Sequence, residues 1–241
     1  MAASEKAVAG ELGEPETVGY IEQKEKWPTE GRVVLAQYTE DAVLVYQAYN
    51  DAIANYALEH QRFGGPAFSP TRMTWIKTNF LWMMFRSGWG TKNNQERTLG
   101  IWLRRSAFDE MMAAAVASKY DPQAYSSEAE YKAARAAQKA GLSRGDSGIV
   151  RLQWDPDHSP SGAKHPSRRA IQLGLKSWKP FHSGAAIIRI VDLTDFVAAR
   201  RGVDPEQLDT PSESEYPVPP AAKRPLGLDP VDDGDGGDGH Q

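Results

Sequence analysis

Three cations with no acid beside them mark the first candidate site. The stretch RMTWIKTNFLWMMFRSGWG, residues 72–90, holds three of the chain's seven tryptophans and three of its six methionines, and its only charges are Arg72, Lys77 and Arg86. A segment this apolar must be buried, and a buried charge left unpaired is costly. One kind of partner is protein: Glu96, Asp109, Asp155 and Asp192 are available, and an Arg86–aspartate bridge beneath a sheet would satisfy the charge. The other is a ligand. Arginine offers a planar fork to phosphate or carboxylate oxygens and lysine a point charge. On that reading Arg72, Lys77 and Arg86 line an anion pocket with Lys92, which follows in the turn GWGTKNNQ.

The second candidate is LQWDPDHSPSGAKHPSRRAIQLGL, residues 152–175. Strand alternation sends Gln153 and Asp155 to one face and Leu152 and Trp154 to the other. The returning strand puts Arg169, Ile171 and Leu173 on one side and Gln172 on the other. A pair of strand-borne carboxamides, Gln153 and Gln172, could read the edge of a base or an amide by paired hydrogen bonds. Equally, Asp155 before Pro156 is what begins a turn, and strand glutamines often face water.

Other chemistries find less support. Asp155, Asp157, His158 and His165 match no EF-hand or His-x-x-x-His spacing, so no metal site is assigned and the sequence names no cofactor. Phosphate-loop, dinucleotide and nucleophile-elbow motifs do not occur. With no cysteine, thiolate metal sites and disulfides are excluded. The start, MAASEKAVAGELGEPE, does not read as a signal peptide, and no apolar run approaches the roughly 20 residues of a membrane span. The expectation is a soluble, cytoplasmic protein. The formal charge of −4 conceals a division: residues 60–200 carry 21 Lys+Arg against 11 Asp+Glu, net +10, leaving 7 against 21, net −14, on the flanks. A basic body is the electrostatic footprint of a phosphate-rich ligand.

The elements that must position these residues follow from periodicity and punctuation. RVVLAQY (32–38) and AVLVYQAY read as strands, and Asn50 or Asp51 caps the helix AIANYALEHQRF, which stops at GGP. In residues 72–90, RMTWI reads as extended and Thr78 as the cap of a short helix, NFLWMMFRS, in preference to one helix starting at Ser69. ERTLGIWLRR is a strand, followed by a helix with a capping box at Ser106 and Asp109. An alanine-rich helix spans 126–140 with Gly141 as its stop. GIVRLQWD, RRAIQLGL and AAIIRIVDLT are strands, the last leading into a short helix at DFVAARRG. Strands at both ends with helices largely between them predict a single α+β, or mixed α/β, domain over residues 31–203 with a mixed or antiparallel sheet. Residues 1–30 are expected to be flexible, and residues 204–241, rich in Pro, Gly and acid, disordered.

The blocks VLVYQAYNDAIA, RMTWIKTNFLWMMFRSGWG, QWDPDH and RRAIQLGL, in this order, resemble a widespread family of uncharacterised proteins classed as a domain of unknown function. The resemblance covers residues 32–197 and implies a single-domain identity with no assigned activity. It places Tyr46, Gln47, Gln95 and Arg169 within family blocks beside the residues already named. Together these suggest a group transfer of ADP-ribosyl or nucleotidyl type on a nucleotide or RNA end. Arg72, Lys77 and Arg86 would hold phosphates, with Lys77 and Arg86 stabilising developing charge. Asp155 would be the general base, Gln153 and Gln172 would orient the substrate, and Tyr46 or Trp75 would stack on it. Gln47, Lys92, Gln95 and Arg169 complete the expected binding set. The alternative is a non-catalytic module binding RNA or protein through its basic body, with the acidic tail modulating it.

Overall fold

The computed structural model describes residues 12–145 and 148–229. In chain order the elements are β1 (Thr17–Gly19), α1 (Tyr20–Lys24), β2 (Gly31–Val33), β3 (Leu35–Ala36), β4 (Ala42–Tyr49), α2 (Asp51–His60), β5 (Thr74–Lys77) and α3 (Phe80–Ser87). Then come β6 (Arg97–Arg104), α4 (Arg105–Ala113), β7 (Val116–Ala117), α5 (Glu128–Arg144), β8 (Ile149–His158), β9 (Lys164–Lys176) and α6 (Lys179–His182). The series closes with β10 (Ile187–Asp192), α7 (Thr194–Arg200), β11 (Asp209–Pro211), β12 (Ser214–Glu215) and α8 (Pro220–Leu226).

An eight-stranded sheet runs β10-β6-β4-β5-β9-β8-β7, with β2 added beside β9. Its pairs are antiparallel except β2 with β9 and β7 with β8. This is the mixed sheet of an α+β domain. The sheet buries both faces because its long strands are apolar at successive positions, as in AVLVY. Val43, Val45, Ile101, Ile171 and Leu173 meet Phe108 and Met111 of α4, Phe181 of α6 and Leu226 of α8 on one side. Leu44, Tyr46 and Trp102 meet Phe80 and Met83 of α3 and Phe196 of α7 on the other.

Several boundaries differ from expectation. RVVLAQY is not one strand: β2 pairs with β9 and β3 with β12, so the chain changes partners at Val34. The caps at α4 and α5 also move. Ser106 caps nothing, since α4 starts at Arg105, and Asp109 instead accepts a hydrogen bond from Tyr216 Oη at 2.6 Å. In α5 the stop is Gly145, whose φ of 74° suits only glycine at low strain, while Gly141 is buried inside the helix.

The larger correction concerns the ends. Residues 204–229, expected to be disordered, build β11, β12 and α8 and pack inward. Leu208, Tyr216, Ala222 and Leu226 are each at most 2% exposed. A few well-spaced apolar side chains supply the burial that the acidic, proline-rich average conceals. On the N-terminal side, Trp27 is buried and donates from Nε1 to the Glu213 carbonyl at 2.8 Å. Residues 1–11 and 230–241 of the expected tails lie outside the described residues.

Candidate functional site

The site begins with a division in the sheet. β4 and β5 are paired at one position, Tyr46 with Lys77. Beyond it Gln47, Ala48 and Tyr49 pair with β6, whereas Thr74 and Trp75 pair with β9. Side chains bridge the gap. Gln47 Nε2 donates to Thr74 Oγ1 at 3.2 Å, its own Oε1 accepts from Ala48 N at 3.1 Å, and Tyr49 Oη lies 2.5 Å from Thr74 Oγ1. A cavity of about 800 Å³ opens against this division.

Local sequence explains the floor and one wall. Thr74, Trp75 and Ile76 suit a strand, and Ile76 faces the main core while Trp75 and Lys77 face α3 and the cavity. The helix α3 then starts one residue later than the expected Thr78 cap. Asn79 Oδ1 accepts from Trp82 N at 2.7 Å, and the buried Glu213 carboxylate accepts from Phe80 N at 2.6 Å. Gly88, at φ 60°, ends the helix. Across the register, Lys77 faces Gln172, and Gln172 faces Gln153. Gln172 Nε2 donates to Asp155 Oδ2 and reaches Gln153 Oε1 at 3.4 Å. Beside them the Trp75 ring lies over Gly174, where an added Cβ would stand 3.0 Å from it.

Gln47, Arg72, Trp75, Lys77, Arg86, Gln95, Gln153 and Gln172 all line the cavity. Asp155 is not on its surface but is tied to it through Gln172. Three expected residues are elsewhere. Tyr46 is fully buried beneath α3, edge-on to Phe80 with ring centroids 5.5 Å apart, so no ligand can stack on it. Lys92 turns back to the end of α3 and donates to the carbonyls of Arg86 at 2.8 Å and Phe85 at 3.2 Å. Arg169 is exposed and alternates onto the Ile171 face of β9, away from the cavity. Conversely, Tyr49, Asn50, Phe68, Asn93 and Asn94 line the cavity without having been singled out. The amide run of TKNNQ was the available signal. Asn94, at φ 61°, turns the chain so that Asn50 Nδ2 approaches its Oδ1 at 3.5 Å.

The electrostatics are one-sided. Among the described residues that line the cavity there are three cations and no carboxylate. Arg72 and Arg86 are exposed rather than buried. Neither guanidinium has a hydrogen-bond or ion-pair partner among the described residues, so the Arg86–aspartate bridge does not form. Only Lys77 is buried, at 2% exposure; its Nζ donates to the Trp75 carbonyl at 3.2 Å and lies 5.5 Å from the centre of the Trp82 ring. Burial, and then the nearby Arg86 charge, pull its pKa down to about 7 against the opposing pull of Asp155. Burial likewise raises the Asp155 carboxyl, opposed by the Gln172 hydrogen bond and the Lys77 charge. The Trp82 indole N–H also favours the ionised form of Asp155, without closing a hydrogen bond of normal geometry.

Below the site the usual rule for buried charge is obeyed. Arg168 Nε donates to Asp157 Oδ2 at 2.6 Å with both side chains buried. His158 stacks on Phe85, with centroids 3.7 Å apart, and burial lowers its pKa. The absence of acid at the cavity is thus a local property.

Fold and site together define an α+β protein with a cationic, carboxamide-rich cavity at a parting of its sheet. The chain belongs to the family described as domain of unknown function DUF4291, whose model matches residues 33–217. That match runs past residue 197 and takes in Glu213 and Tyr216. No curated protein matches the chain. Among the described residues no helix is long and apolar enough to cross a membrane.

Proposed function

We propose that this protein is an enzyme that binds a phosphate-bearing ligand, a nucleotide or an RNA end, and catalyses group transfer of ADP-ribosyl or nucleotidyl type. One observation carries the reading: Arg72, Lys77 and Arg86 converge on one cavity whose described lining contains no acid. An anion bound there would supply the missing countercharge, with arginine forks at the rim and a lysine at the floor. Gln153 and Gln172 offer paired donors and acceptors to a base or amide edge, and Trp75 offers a stacking face. Asp155, with its raised pKa, is the proton acceptor. The concave, amide-lined shape favours an enzyme over a binding module, which would need a flat basic stripe.

The test is a thermal-shift series on the full chain with ATP, NAD and 5′-phosphorylated oligoribonucleotide, against adenosine as the phosphate-free control. A ligand at 100 times its Kd adds about 2.7 kcal/mol of stability. The expected shift requires phosphate and is lost in Arg72→Met and Arg86→Met. No shift with any phosphate-bearing compound, or one indifferent to both substitutions, would overturn the reading.

A further inference from the structure

We propose that Lys77 is a covalent nucleophile, taking the nucleotidyl group of a nucleoside triphosphate onto its own Nζ as a phosphoramidate. This deepens the reading above and rests on a nucleotide occupying the cavity.

Four observations support it. First, Lys77 is almost wholly buried yet is one of the residues that line the cavity. Second, its Nζ bonds to a carbonyl, that of Trp75, and pairs with no carboxylate among the described residues. A carboxylate partner would hold the amine as an ammonium ion and deny it a lone pair, whereas burial and the Arg86 charge favour the neutral amine. Third, its position is fixed from both sides by the Tyr46–Lys77 and Lys77–Gln172 registers, with the Trp82 ring closing one flank. A nucleophile gains from such fixity because the bound geometry replaces a bimolecular search. Fourth, Arg72 and Arg86 also line the cavity and have no side-chain partners among the described residues, leaving both free to hold a departing polyphosphate.

The step balances as follows. The Nζ lone pair forms a bond to the α-phosphorus. The bond from that phosphorus to the oxygen bridging it to the β-phosphate breaks, and its electron pair leaves with pyrophosphate. The proton shed by the nitrogen passes, by way of one water, to the Asp155 carboxylate, whose charge already acts on Lys77. A later acceptor hydroxyl attacks the same phosphorus, its proton passing to solvent, and returns the electron pair to Nζ, which takes back the proton left on Asp155 and becomes free lysine again.

The experiment uses the full chain with each of ATP, GTP, CTP and UTP in the presence of Mg²⁺. Intact mass, pyrophosphate release and melting temperature are read on the same samples. The expected result is a gain of one nucleoside monophosphate unit, acid-labile and alkali-stable, mapped to Lys77 by peptide sequencing and reversed by added pyrophosphate. Lys77→Arg, which keeps the charge, should abolish the adduct, and Asp155→Asn should slow its formation. A triphosphate that raises the melting temperature without forming an adduct, or an adduct on any other residue, overturns the nucleophile and leaves the ligand class standing. No thermal response to any phosphate-bearing compound overturns both.

Discussion

The Lys77 amino group lies over the Trp82 ring, 5.5 Å from its centre, and among the described residues a carbonyl and that ring are the partners it has in place of a carboxylate. A tryptophan face attracts a cation but does not replace the water lost on burial. Lys77→Met is therefore expected to cost no more than about 1 kcal/mol, and to stabilise the fold if the methionine packs well. Arg168→Met, which strands the buried Asp157, should cost roughly 3–5 kcal/mol. Chemical denaturation of the two variants makes the comparison, and a loss of several kcal/mol in Lys77→Met would mean that the lysine has a structural partner.

The same lysine sets a pH dependence with a definite sign. Its folded pKa, about 7, is below the ordinary 10.5, so between those values the unfolded chain binds more protons than the folded one. Wild-type stability relative to Lys77→Met should therefore rise as pH climbs through that window, with a slope of at most about 1.4 kcal/mol per pH unit. Denaturation curves at several pH values check this. A difference that stays flat would show that the lysine is no less protonated in the folded state.

Glu213 should do the opposite. Its buried carboxylate accepts from Phe80 N and Asn79 Nδ2, and burial raises its pKa well above 4.5. The folded state then holds the proton that the unfolded state releases, so wild-type stability relative to Glu213→Gln should fall as pH rises from 4.5. Glu213→Ala leaves the Phe80 N–H and the Asn79 amide without their acceptor and should cost roughly 1–3 kcal/mol for each group stranded. The readout is again denaturation across pH.

The C-terminal segment should be essential to the fold. Ending the chain after Pro211 removes Glu213, Tyr216, Ala222 and Leu226, all buried. Leu226→Ala alone should cost about 2–5 kcal/mol. Circular dichroism and the melting temperature of the truncated chain test this, and a melt close to that of the full chain would show that the segment is only loosely held.

How much of this was legible in the sequence differs from place to place. The convergence of Arg72, Lys77 and Arg86 could be read because the segment that carries them has no acid; alternation placed Gln153 and Gln172 on faces of their strands, but their direct pairing depends on the β8–β9 register, which alternation does not set. The strand-to-helix change near Thr78 was legible to within one residue. Asn79, buried like Thr78, takes the cap: its Oδ1 accepts from Trp82 N, whereas the Thr78 hydroxyl has no partner among the described residues. What sequence could not show was where two strands part, since AVLVYQAY is apolar except at Gln47, and one polar residue in a strand does not say that pairing with β5 ends at Tyr46. Tyr46 was misjudged for a related reason: in a sheet buried on both faces, alternation does not separate ligand side from core side. The C-terminal segment was lost to averaging, because Tyr216 and Leu226 are sparse among prolines and acids.

The parting of β4 from β5 carries a mechanical consequence. One plate, β10-β6-β4, and another, β5-β9-β8-β7, share one core but are joined in the sheet by a single ladder position, so the seam between them is where the sheet has the fewest ladder bonds to break. A ligand touching Gln47 on one plate, with Asn94 in the loop leading into β6, and Lys77 and Gln172 on the other would act as a rivet across that seam. Its arrival should be felt as slower amide hydrogen exchange along Gln47–Tyr49 and Thr74–Trp75, where the two plates face each other without a shared ladder.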